Sequence, residues 1–185
     1  MKRLLHFSLT IIVSLILSCN NSDTKVAGST DNQPAVGQSG VQDDESQKDV
    51  VKVAAGSKDH TTLVSAIKQA QLVDALSNAG PFTVFAPTND AFDKLPKGTV
   101  EDLMKPENKE KLQDILQYHV FLANLGTTLM QDGQTLNQVN GQNISIQKSA
   151  DGKVTINGKA HILASIPASN GIIHVIDEVL LPPSK

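Results

Sequence analysis

The chain has 185 residues, 39% hydrophobic and 19% charged, which leaves room for one globular domain of ordinary composition and a remainder. A formal net charge of −3, with no Lys/Arg run after Lys2-Arg3, gives no electrostatic footprint for nucleic acid, so none is expected as a partner. The single cysteine excludes an intramolecular disulfide, and the absence of tryptophan, with Tyr118 as the one tyrosine, argues against an aromatic-rich binding face.

Lys2 and Arg3 precede an apolar run from Leu4 to Leu17, the basic-then-apolar order of a secretory signal. The run is shorter than the roughly 20 apolar residues that span a membrane comfortably. It leads into Leu15-Ile16-Leu17-Ser18-Cys19, and a small residue before a cysteine at this point resembles the lipobox of bacterial lipoproteins. That resemblance implies a signal peptide over 1–18, a lipid on Cys19 and a membrane as the first partner. Each buried methylene is worth about 0.8 kcal/mol, so two or more acyl chains hold a protein on a bilayer almost permanently. Asn20 follows the cysteine where the enterobacterial sorting pattern would place Asp for retention. The expected location is therefore the bacterial envelope, at the outer membrane (periplasmic side or cell surface) rather than the inner.

From Asn20 to Lys48 the apolar residues are Val26, Ala27, Ala35, Val36 and Val41, too few to offset the entropy of ordering. Residues 19–48 read as a flexible, mildly acidic tether. Asp43-Asp44-Glu45 lacks the turn glycine and the spaced oxygen ligands of a calcium loop.

Residues 49–185 read as the folded domain. Leu63, Ile67 and Ala70, then Leu72, Val73 and Leu76, recur at helical spacing and predict helices that end near Asn78-Ala79-Gly80-Pro81. A strand is expected from Phe82 to Ala86, closed by Pro87, with Thr88 or Asn89 capping a short helix that presents Ala91 and Phe92. Asp90 falls in its first turn, where a carboxylate suits the helix dipole. Further helices are predicted over Thr99–Met104 and from Glu107 to about Gln117, the second placing Leu112, Ile115, Leu116 and His119 on one face. Five Asx-Gly pairs then occur between Asp132 and Gly171, flanking Ile144/Ile146 and Val154/Ile156 at period two, the signal of half-buried hairpins. Gly171 to Leu181 is nearly continuous in apolar residues, as in a strand covered on both sides. Helices first and a meander second make the class α+β.

Phe82-Thr-Val-Phe-Ala-Pro-Thr-Asn-Asp-Ala-Phe92 and Asn170-Gly-Ile-Ile-His-Val-Ile-Asp-Glu-Val-Leu-Leu-Pro182 resemble the two signature segments of the fasciclin domain, and Leu116-Gln-Tyr-His-Val120 is similar to its central Tyr-His segment. The resemblance covers about Asp49 to Pro182. It implies a wedge of two mainly antiparallel β-sheets with several flanking helices, used in extracellular adhesion and matrix proteins, many bacterial members being short secreted or lipid-anchored chains with one copy. It also implies that Tyr118 and His119 contact a partner, whereas their apolar neighbours Leu116, Val120, Phe121 and Leu122 favour burial. The residues themselves give Phe82, Pro87, Thr88, Asn89, Asp90 and Phe92 structural work. In the second segment Asn170-Gly171 reads as a turn, and His174 as a hydrogen-bonded core residue between Ile172 and Ile176 on one strand face.

No nucleophile elbow, zinc-protease motif or phosphate loop is present, His60, His119, His161 and His174 are scattered, and Asp177 and Glu178 are expected on opposite faces of one strand. Neither catalysis nor a cofactor is expected. The leading reading is a non-catalytic, membrane-anchored adhesion or interaction module with a protein or glycan surface as partner. The alternative is an envelope protein that binds a small apolar ligand or lipid between helices and sheet.

Overall fold

The computed structural model describes residues 48–183. The expected signal peptide, Cys19 and all of the tether before Lys48 lie outside the described residues.

The first helix, α1 (Val50–Ala55), was not marked by periodicity, because six residues are too few for a 3.6-residue repeat to show. Asp49 caps it by accepting the Lys52 N–H at 2.8 Å, and burial of Val50, Val51 and Ala54 holds it in place. A 3-10 turn (Lys58–His60) then leads into α2 (Thr61–Gln69), and α3 (Val73–Ser77) follows, with Leu63, Ile67, Ala70 and Leu76 buried. Next come β1 (Phe82–Pro87), α4 (Asn89–Asp93), α5 (Thr99–Leu103) and α6 (Lys109–Tyr118). The last helix begins later than Glu107 because Pro106–Asn108 forms a 3-10 turn whose Asn108 amide donates to the Asp102 carbonyl at 2.8 Å. Among the described residues no helix is long and apolar enough to cross a membrane.

The remaining strands are β2 (Val120–Phe121), β3 (Thr135–Asn137), β4 (Asn143–Lys148), β5 (Val154–Ile156), β6 (Ala160–Ala168) and β7 (Gly171–Ile176). Their order is β2-β1-β7-β6-β5-β4-β3, antiparallel throughout except for the parallel pair β1 and β7. The two expected sheets are two ends of this order that share β6. Ala160 and His161 of β6 pair with β5, whereas Ile162–Ala168 pair with β7, with a register shift between Ile162 and Ala164 at the handover.

Side chains alternate across the β1/β7 pair and so divide the interior in two. Val84, Ala86 and Ile173 meet the helices through Val50, Leu63, Ile67, Leu112 and Leu116. Phe85 and Ile176 meet the meander through Leu136, Ile144, Ile146, Val154 and Ile156. A strand covered on both faces has no polar side to show, which is why β7 reads as an apolar run. The strand stops at Ile176, however, and the apolar run continues as an irregular strap over 177–183. Asp177 and Glu178 therefore lie past the strand instead of on its two faces.

Candidate functional site

The first signature segment works as a set of caps. Thr88 Oγ1 accepts the Ala91 N–H at 3.3 Å and starts α4, and Asp90 sits in that helix's first turn. Asn89 caps a different helix. Its Oδ1 accepts the Thr62 N–H at 3.1 Å and the Thr61 hydroxyl at 3.2 Å, while its Nδ2 donates to the Lys58 carbonyl at 3.0 Å. The residue in the N-cap position of α2, His60, makes no such bond itself. Phe82 and Phe92 pack against the helix-side core, and Pro87 is buried where β1 ends.

Asn170 joins three parts of the chain. Its Oδ1 accepts the Val50 N–H at 2.9 Å, and its Nδ2 donates to the carbonyls of Leu76 at 2.8 Å and Asn78 at 2.9 Å. It thereby caps the start of α1 and the end of α3. Gly171 is required by close approach, since a Cβ there would lie 2.0 Å from the Phe82 carbonyl oxygen. His174 is fully buried, with its ring 5.7 Å from that of Phe85. Its Nε2 donates to the Leu125 carbonyl at 2.8 Å, which leaves Nδ1 to accept from the Ser165 hydroxyl at 2.8 Å. Burial lowers its pKa below the usual 6.5, so the ring is neutral at neutral pH.

Tyr118 and His119 are adjacent in sequence but point into different halves of the interior. The Tyr118 ring is 2% exposed within the meander-side core, its hydroxyl donating to the Asn143 carbonyl at 3.0 Å and accepting from Asn157 Nδ2 at 3.1 Å. His119 is 3% exposed. The Leu180 N–H donates to its Nε2 at 3.0 Å, so the ring proton sits on Nδ1 and is donated to the Ile115 carbonyl at 2.8 Å. Burial pushes the His119 pKa down to about 4. The contact role implied by the resemblance does not fit these positions, because both polar groups are turned inward and bonded to the chain's own backbone. Sequence reading missed Asn157, Ser165 and Leu125 as partners of the motif. Asn157 signalled itself only as one of several Asx-Gly turns.

A model of the fasciclin domain matches residues 58–182, more than half of the chain. The chain belongs to the fasciclin domain family. It is 53% identical to Protein sll1483 of Synechocystis sp. over 134 residues, covering 72% of this chain and 73% of that protein. It is 35% identical to Immunogenic protein MPB70 of Mycobacterium bovis over 146 residues, covering 75% and 72% respectively. The fold is similar to that of the FAS1 domain pair from the insect cell adhesion molecule fasciclin I. The TM-score is 0.65 at 20% identity, over 72% of this chain and 51% of that one.

In this fasciclin domain Thr88, Asn89, Tyr118, His119, Asn170 and His174 of the signature segments are engaged in holding helix ends, turns and loops. The apolar recess among Leu63, Phe92, Leu103, Leu116 and His119 measures about 30 Å³, the space of roughly one water and far below that of a lipid chain. Among the described residues no three His, Cys, Asp or Glu side chains are grouped to hold a metal. Of the four described histidines, His161 alone is exposed, and it pairs with Asp177 at 3.1 Å.

Proposed function

We propose that this fasciclin domain is a non-catalytic adhesion or interaction module, tethered through a lipid on Cys19 to the envelope of the bacterium that makes it. One observation carries the reading: Thr83, Thr88, Asn89, Tyr118, His119, Asn170 and His174 of the three signature segments are bonded within the fold, which leaves recognition to the outer surface. The similarity in fold to an insect cell adhesion molecule and in sequence to bacterial proteins of comparable length supports it. The lipobox-like Leu15-Ile16-Leu17-Ser18-Cys19 supports the anchor, and Asn20 supports the outer membrane.

The tether is tested by Cys19→Ala, which should move the protein from the detergent phase to soluble fractions or leave an unprocessed precursor; unchanged partitioning overturns the anchor. Protease added to intact cells should digest the domain if it acts at the cell surface. Full protection places it on the periplasmic side and redirects the search for a partner to envelope components. Deleting the gene should weaken biofilm formation, cell clustering or host attachment.

A further inference from the structure

Residues 177–183 form a strap between the helices and the meander. Leu180 is buried in the meander-side core. Open recesses flank the strap on both sides, about 370 Å³ against Lys94, Leu95 and Asn157, and about 410 Å³ against Lys111, Ile115 and Gln142. The near end is pinned several times over. The Asp177 carboxylate accepts the His161 N–H at 2.7 Å and meets its Nδ1 at 3.1 Å, and the Asp177 carbonyl accepts from Lys94 Nζ at 2.8 Å. Among the described residues the strap past Asp177 makes two hydrogen bonds: Leu180 N–H to His119 Nε2 at 3.0 Å, and a long exposed one from Gln142 to the Pro183 carbonyl at 3.4 Å.

We propose that His119 is an acid-operated latch on this strap: the neutral ring accepts the Leu180 N–H, and the protonated ring, now a donor at Nε2, releases it so that the strap swings out about Asp177. The geometry gives this histidine no second option. Its Nδ1–H already faces the Ile115 carbonyl, so a proton at Nε2 would point at another donor. His174 differs, because its Nδ1 faces a hydroxyl, which rotates from donor to acceptor when the ring is charged. Around His119 the strap presents Val179 and the helices present Leu63, Met104, Leu112 and Leu116, none of them charged. Lys68 on α2, Asp90 and Asp93 on α4, Glu101 and Asp102 on α5, Lys109, Glu110, Lys111, Asp114 and Tyr118 on α6, and Asp177 and Glu178 on the strap are the titratable groups of the elements packed against it. None of them sets its proton affinity, which follows from burial and the Ile115 carbonyl.

Leu180 amide exchange in the full chain reads the latch directly. A ring that titrates near 6.5 when the strap is open and near 4 when it is closed makes opening about 30-fold more frequent at pH 5 than at pH 7.5. After correction for intrinsic exchange, Leu180 protection should fall by about that factor and stay below that of Ile144 and Ile173, which are buried in the core and exchange through global unfolding. In His119→Gln, whose amide offers one donor and one acceptor but does not titrate, Leu180 protection should stay flat. Loss in wild type and variant alike, or Leu180 protection equal to that of Ile144 at both pH values, overturns the latch. Should the variant fail to fold, titration of the His119 ring in the wild-type chain decides: a midpoint near 6.5 overturns the proposal, and a midpoint well below 6.5, with protonation tracking Leu180 exchange, supports it.

Discussion

Asn170 accepts from one backbone N–H and donates to two carbonyls, and those partners lie 120, 94 and 92 residues away. Removing the side chain leaves three buried or half-buried backbone groups unpaired, at about 1 kcal/mol or more each. Asn170→Ala should therefore lower unfolding free energy by about 3 kcal/mol in urea titration, with the fold retained. A loss under about 1 kcal/mol would show that water replaces these bonds. The sequence pointed to Asn170-Gly171 through turn chemistry, which is local. It could not show the capping, because bonds across that much chain leave no periodic mark. Tyr118 and His119 show the same limit: their apolar neighbours argued for burial, but nothing local told that the two rings enter different cores.

At the level of elements, α2 was legible from Leu63, Ile67 and Ala70, and β4 and β5 from strict alternation. α1 and β6 were not. β6 is the longest strand, yet Leu163, Ala164, Ser165, Ile166 and Pro167 are all exposed, so no half-buried alternation appears. Its strand state comes from pairing with β7, a tertiary cause. The same lesson applies to helix starts. Thr88 caps α4 locally, whereas Asn89 caps α2 and also holds the Lys58 carbonyl. Thr88→Ala should cost about 1 kcal/mol. Asn89→Ala should cost more, because it releases three bonds that join separate elements. Urea titrations of the two variants check the order, and a reversed order would mean that the tertiary cap adds little.

For the whole molecule, the buried histidines set how stability depends on pH. Burial lowers the pKa of His60, His119 and His174 below 6.5 in the folded chain. The unfolded chain therefore binds protons more readily as pH falls through 6.5, and stability is lost from there downward until the folded rings titrate. His119, with its pKa near 4, accounts for about 3 kcal/mol of this loss. Urea unfolding at pH 7.5 and pH 5 should show lower stability at pH 5, with a smaller difference in His119→Gln. Equal stability at both values would contradict neutral burial of these rings.

The two-sided interior turns the signature segments into the joints of a rigid body, and the proposed lipid on Cys19 gives that body a place to work. Tyr118→Phe should lower unfolding free energy by about 1 kcal/mol through the lost hydroxyl bonds, without touching the surface. Surface attachment by a deletion strain, complemented in turn with the wild-type, Tyr118→Phe and Cys19→Ala chains, tests the account most directly. It predicts reduced attachment on deletion, recovery with wild type and Tyr118→Phe, and no recovery with Cys19→Ala. A deletion strain that attaches as well as its parent would contradict it.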